Sequence, residues 1–135
     1  MATYTKFNSF VEALAEKVHN LGADSLKVAL TNSAPSASNT VLANITEISY
    51  TNLSSRTLTT SSSAQTSGTY KLVIGDLVLT ASGSVGPFRY VVIYNDTATN
   101  DELIAYFDYG SSLTMANTET LTLDFDGSAG LLTIV

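Results

Sequence analysis

The clearest pattern in the chain is a helical one near the N-terminus. Apolar residues recur there at spacings of three and four, which places them on one stripe of an α-helix. They are Phe7, Phe10, Leu14, Val18 and Leu21. Ser9 opens a capping-box sequence, and Gly22 lies where a left-handed C-terminal cap is common. The pattern predicts one helix over residues 9–21, preceded by an N-terminal arm over residues 1–8.

After Gly22 the helical period gives way to short alternating runs bounded by Gly, Pro, Asn and Ser, which is typical of strands. The predicted strands are 25–31, 47–50, 56–60, 70–74, 76–81, 88–94, 103–109, 119–125 and 131–135. Residues 32–40 are predicted to form a loop, and residues 59–68 an exposed loop or flexible arm. The sequence therefore predicts one mainly β domain over residues 1–135. We expect an antiparallel β-sandwich or jelly-roll-like barrel over residues 25–135, with one N-terminal α-helix.

The strand predicted at 88–94 is apolar on both faces. Alternation places one set of side chains on one face and a second set on the other. The first set is Phe88, Tyr90, Val92 and Tyr94, and the second is Arg89, Val91 and Ile93. Such a strand lies in the middle of the core, or has its second face covered by the helix.

Composition and charge narrow the classes of function. The absence of Cys excludes disulfides, thiolate nucleophiles and Cys-ligated metals. A formal net charge of −6 disfavours nucleic acid and anionic membranes as partners. No long apolar window and no signal-peptide pattern is present, so we expect a soluble chain made without a signal peptide. Only 13% of residues are charged, which favours a protein that contacts other proteins, although Thr-rich strands explain the composition equally well.

Four carboxylates gather around the connection between two predicted strands. They are Asp96, Asp101, Glu102 and Asp108. They are either solvated turn acids or, as the less favoured alternative, a site for a cation such as Ca²⁺. Their spacing matches no EF-hand loop, and residues 97–100 are ordinary turn formers, so we favour solvated acids and assign no metal ligand.

Other candidate chemistry is weaker. His19 is the single histidine and has no G-x-S-x-G partner motif, so we predict a surface or interface position and assign no catalytic residue. Asp124 and Asp126 are predicted to point outward, with Gly127 turning the chain. Residues 83–87 lack the features of a phosphate-binding loop, and no cofactor is expected. Four tyrosines leave a sugar-binding surface as an alternative. They are Tyr90, Tyr94, Tyr106 and Tyr109.

Several segments together resemble small virion proteins of tailed bacteriophages. The N-terminal ones are residues 7–16 (FNSFVEALAE), 19–21 (HNL) and 26–35 (LKVALTNSAP). The later ones are residues 63–72 (SAQTSGTYKL), 86–90 (GPFRY), 93–96 (IYND) and 108–112 (DYGSS). The resemblance covers almost the whole chain.

This resemblance implies a structural role in the virion. The leading expectation is a capsid decoration or cement protein that is made in the host cytoplasm, binds the major capsid protein on the outside of the head and forms a homo-oligomer. A tail-tube, head-tail joining or fibre-base protein is the alternative within the virion. A carbohydrate-binding β-sandwich that uses the tyrosines and a calcium ion is the alternative outside it.

Overall fold

The chain folds as a mainly β, sandwich-like domain with several antiparallel sheets and one short helix, which confirms the predicted fold class. The computed structural model describes residues 2–135. The elements are β1 (Thr3–Lys6), α1 (Phe10–Ala15), β2 (Leu26–Thr31), a 3-10 turn (Leu42–Asn44), β3 (Thr60–Thr66), β4 (Thr69–Ile74), β5 (Leu77–Thr80), β6 (Val85–Asn95), β7 (Leu103–Met115), β8 (Thr120–Leu123) and β9 (Leu132–Ile134).

The strands form three sheets that share one main core. A four-stranded sheet has the order β1-β7-β6-β2, a three-stranded sheet has the order β3-β4-β9, and β5 pairs with β8. Alternate residues of β2 face the main core, as their spacing predicts. In that core, Val28 and Ile93 of the large sheet join Leu72 of β4 and Leu79 of β5 in one buried cluster. The large sheet therefore packs against both smaller sheets, with side chains from all three excluding water.

Strand β6 lies in the middle of the large sheet and is buried on both faces. Its second face carries Val92 and Tyr94, which pack with Phe7, Leu42 and Ile45 in a separate buried cluster. The central position of β6 in the core was predicted correctly. Its second face, however, is covered by the 3-10 turn region and not by the helix. The helix contributes instead to the main cluster, on the opposite side of the sheet.

A register irregularity in β6 corrects the predicted faces. Phe88 was expected beside Tyr90 and Val92, yet it packs with Val91 in the main core. The pairing with β7 is irregular here: the step of two residues from Phe88 to Tyr90 faces a step of five on β7, from Leu113 to Asp108. Such an irregularity interrupts the regular alternation of side chains between the two faces.

Two predicted strands, 47–50 and 56–60, are wrong. Residues 46–58 instead run irregularly along the outer edge of β2, where Ile48 donates a backbone hydrogen bond to Leu30 (3.0 Å). The Arg56 guanidinium stacks over the Tyr50 ring at 3.7 Å and donates to the Val28 carbonyl (2.6 Å). These side-chain contacts, together with backbone hydrogen bonds that join β2 to Arg56 and Leu58, hold the segment without a regular ladder. The segment covers an edge of β2 that would otherwise be open.

The helix is shorter than the predicted range 9–21. It ends at Ala15 in a Schellman motif, in which Val18 donates to Ala13 (2.9 Å) and Lys17 takes the left-handed conformation expected of Gly22. Ser9 makes no side-chain cap, so the predicted capping box is absent. The apolar spacing in the sequence continues beyond the helix because Leu21, which lies in a later turn, also packs in the core. Within residues 2–135, no helix is long and apolar enough to span a bilayer.

The two predicted arms are strands. Thr3–Lys6 pairs with β7, so the described part of the 1–8 arm forms a sheet edge, and Phe7 is fully buried. Residues 60–66 pair with β4 through the turn Ser67-Gly68, whose two positive φ angles (50° and 85°) suit a two-residue hairpin. This strand was not predicted because it has few apolar residues and is exposed over most of its length. The predicted loop at 32–40 contains no strand or helix.

Replacing Val92 by Ala tests the central position of β6. Val92 is fully buried, so the change should lower the free energy of unfolding by about 1–3 kcal/mol through lost burial and a new cavity. Val78→Ala is the matched control, because Val78 is 51% exposed on β5 and should cost less than about 0.5 kcal/mol. Chemical denaturation measures both; equal losses would contradict the burial of β6 on both faces.

Candidate functional site

The four acids proposed as an alternative cation site do not come together. Asp96 pairs with Lys27 (3.1 Å), and Glu102 accepts hydrogen bonds from Asn100. Asp108 lies six residues beyond Glu102 along β7, about 20 Å away in an extended strand, where it binds Arg89. Asp101 sits in the turn with φ of 53°. Within residues 2–135, no three His, Asp or Glu side chains are close enough together to hold a metal ion.

Asp108 and Arg89 form a two-pronged ion pair across β6 and β7. The guanidinium donates from Nε to Oδ1 (2.8 Å) and from Nη2 to Oδ2 (3.0 Å). The Gly110 amide donates to the same carboxylate (2.8 Å). Arg89 first, and then this amide, hold the pKa of Asp108 below its ordinary value, because both favour the charged form. The two charges therefore neutralise each other and leave little net charge for a ligand.

His19 is buried, which corrects the predicted surface position. Only 5% of the residue is exposed, because the chain turns inward where the helix ends. Its Nδ1 accepts from the side-chain amide of Asn95 (3.0 Å), and this amide also donates to Asp24 (2.7 Å). The proton of the neutral ring is then on Nε2, which has no protein partner among the described residues. Burial lowers the pKa of His19, against the opposing charges of Glu102 and Asp24.

Asn95 is the central polar residue of this network and was not identified from the sequence. It is fully buried at the end of β6, and its carbonyl accepts from the amides of Thr97 (3.0 Å) and Ala98 (3.2 Å). One side chain thus closes the turn and joins it to the segment after the helix. The available signal was an amide placed directly between an apolar strand and a turn.

The four tyrosines do not form an open recognition surface. Tyr90 and Tyr94 are 9% and 3% exposed, and Tyr106 is packed edge-on against Tyr90 and tilted against Phe7. Tyr109 alone among the four is well exposed, at 56%. A flat sugar-stacking platform needs several open rings, so this geometry removes the main basis for that alternative.

The segment from Asp124 to Gly130 is a turn, in agreement with the sequence. Phe125 packs in the main core, whereas Asp124 and Asp126 are exposed. The Asp126 carboxylate accepts from the amides of Ala129 and Ser128 (both 2.8 Å), which lowers its pKa. Gly130 provides the positive φ angle (81°) that reverses the chain.

A groove between the large sheet and the β5-β8 pair is the candidate binding site. It has a volume of about 210 Å³ and is lined mostly by apolar side chains. The apolar lining includes Phe88, Val91, Phe107, Leu113, Leu121 and Leu123. Arg89, Thr122 and Asp124 add polar groups, and exposed Tyr109 also lines the groove. The sequence did not indicate this groove, because its lining comes from three strands and none of its residues forms a local motif.

The His19 network should make the fold acid-sensitive. The pKa of His19 is lower in the folded chain than its ordinary value of 6.5, so the unfolded chain binds a proton more readily. The contribution of His19 is complete above that value, and the free energy of unfolding should fall as the pH drops below it. Denaturation between pH 7.5 and 5 measures the slope. His19→Asn keeps an acceptor near Asn95 but cannot titrate, so it should lose this slope; an unchanged slope would contradict the assignment.

The Arg89–Asp108 pair gives a second pH test. The pKa of Asp108, measured by carboxyl NMR titration, should lie below its ordinary value because Arg89 stabilises the charged form. In Arg89→Met it should rise toward that value, since the largest cause is removed while the aliphatic chain is kept. The pKa of Asp126, which depends on backbone amides, is the internal control and should not move. An Asp108 pKa insensitive to this change would refute the pairing.

Comparisons of the chain with protein-family models, with curated proteins and with solved structures found no match. Among the features just described, the groove between the sheets offers a mostly apolar lining to a partner.

Proposed function

We propose that the chain is a non-catalytic structural protein of a tailed-phage virion, a decoration or cement protein that binds the outside of the capsid. It contacts the major capsid protein through the groove between the large sheet and β5-β8. The observation that carries this proposal is the groove itself, an apolar concavity with exposed Tyr109 beside it.

The chemistry of the groove suits a protein partner. Apolar walls favour burial of an aliphatic or aromatic side chain, and an exposed tyrosine adds contact area at small entropic cost. Arg89 is already paired with Asp108, so it supplies no free charge for a phosphate or carboxylate substrate. A patch of this kind is typical of interaction sites on soluble proteins.

The rest of the molecule supports the same role. Segments along nearly the whole sequence resemble phage virion proteins, and several of them form the doubly covered centre of the fold. The net charge of −6 keeps unbound copies soluble until they meet a matching surface. On a capsid, the same contact is repeated at many equivalent sites.

Binding to empty heads tests this proposal. Heads that carry the major capsid protein alone should retain the chain when they are sedimented. Tyr109→Ala should weaken this binding about tenfold or more, because exposed aromatic residues at interfaces often contribute at least 1–2 kcal/mol. Val11→Ala is the matched control: Val11 is 53% exposed on α1, outside the groove, and its loss should leave binding unchanged.

Two outcomes would overturn the proposal. If the chain fails to bind heads but is recovered with purified tails, it belongs to another part of the virion. If Tyr109→Ala and Val11→Ala bind heads as well as the unaltered chain does, the groove is not the contact. Thermal unfolding of each variant shows that any loss of binding is not a loss of fold.

A further inference from the structure

Strand β3 presents the longest edge among the strands that end a sheet. It has seven residues, Thr60–Thr66, and pairs with β4 on one side only. The other edge strands are β2, with its outer side covered by residues 46–58, and shorter strands of three or four residues. An edge of this length leaves a row of backbone donors and acceptors available to another strand.

The hairpin register identifies which groups face outward. Thr66 and Thr69 flank the two-residue turn, so they form a hydrogen-bonded pair, as do Ala64 with Lys71. Residues between them alternate and point their amides and carbonyls to the outer edge. These residues are Ser63 and Gln65, and neither backbone makes another hydrogen bond in the described part of the chain. Each of the two residues offers one backbone donor and one backbone acceptor, and the residues lie about 7 Å apart along the strand.

Charged residues and Pro, which usually protect an edge strand, are missing here, although Gly22 lies beside the half-buried Ser63 side chain. Thr60–Thr66 contains no Lys, no Pro and no charged residue. A register irregularity between Thr60 and Ser62 disturbs only the first residues. Lys71 of β4, which pairs with Ala64, donates its ammonium hydrogen to the Ser128 carbonyl (2.8 Å). Residues 62–66 therefore form a neutral edge that is regularly paired with β4 on its inner side.

From this geometry we infer that β3 pairs antiparallel with β3 of a second copy of the chain, forming a continuous six-stranded sheet across a two-fold axis. The axis passes beside Ala64. Ser63 lies opposite Gln65 of the partner subunit, and the reverse pair follows by symmetry. All four outward amides and carbonyls on each side are then used, in four backbone hydrogen bonds.

The self-complementary, neutral edge favours a second copy as the partner. Two chains of net charge −6 repel each other over most of their surfaces, so they can approach only where each is neutral. The β3 edge meets this condition and, being antiparallel, is complementary to itself. Ser62 faces Thr66 of the partner subunit, and such hydroxyl-bearing cross-strand pairs are favourable.

This inference names the homo-oligomer contact of the proposed virion protein, but it uses a different part of the molecule from the capsid-binding groove. Dimerisation is measured on the isolated full-length chain, without heads. If the chain dimerises but does not bind heads, the proposed function fails and the dimer remains. If it binds heads without this pairing, the dimer fails alone.

Cysteine crosslinking tests the register, and the chain suits it because it has no Cys of its own. Ala64→Cys places two thiols across the axis at a non-hydrogen-bonded pair, where the Cα atoms are about 4.5 Å apart and a disulfide can form. Mild oxidation should give a dimer of twice the 14.3 kDa chain mass. Thr66→Cys is the control on the same face: its thiol lies about 13 Å along the strand from its symmetry mate and should stay unlinked.

A second pair of variants tests the hydrogen bonds. Gln65→Pro removes the outward amide from each subunit and leaves the bonds to β4 intact, so it should weaken dimerisation about tenfold or more. Gln65→Ala keeps the amide and should dimerise like the unaltered chain. Sedimentation velocity over a range of concentrations measures both. A chain that stays monomeric, equal crosslinking of the two cysteine variants, or undiminished dimerisation of a folded Gln65→Pro would each overturn the inference. If Gln65→Pro does not fold, the cysteine pair decides.

Discussion

The structure depends on the burial of strand β6 on both faces. A strand of alternating side chains normally needs only one apolar neighbour, but β6 carries apolar side chains on each side and requires two covers. The smaller sheets and α1 cover one face, and Phe7 with the 3-10 turn region covers the other. Asn95 then ends the strand by satisfying the turn amides and connecting the turn to His19 and Asp24. Most elements of the fold can be understood as cover for this strand.

The elements that neighbouring residues determine could be predicted from the sequence, whereas those that depend on distant contacts could not. The apolar alternation of residues 88–94 and the turn after Asp126 follow from neighbours in the chain, and both were predicted. The length of the helix was not, because the reversal at Lys17 uses a residue type that rarely takes the left-handed conformation. Residues 47–50 and 56–60 were predicted as strands from short alternating runs, but backbone bonds to β2 and the stacking of Arg56 on Tyr50 hold them in an irregular path. Strand β3 was not predicted because it is polar and exposed over most of its length.

The candidate site likewise depends on contacts between distant residues, which the sequence did not reveal. Acids close together in sequence were separated by an extended strand, since each residue of β7 advances about 3.3 Å. Asp108 therefore meets Arg89 and not the turn. The buried amide of Asn95 and the apolar groove arise from contacts between distant segments, which no local spacing encodes. The surface features to which we assign protein contacts are a neutral edge at β3 and an apolar groove beside Tyr109.

The functional account has one central claim, that this chain decorates a capsid at many equivalent positions. The most direct test is the number of copies per major capsid protein in purified virions, measured by quantitative mass spectrometry with isotope-labelled standards. The account predicts a fixed ratio that corresponds to hundreds of copies on each particle and that persists in heads without tails. About a dozen copies, confined to the tail fraction, would contradict it.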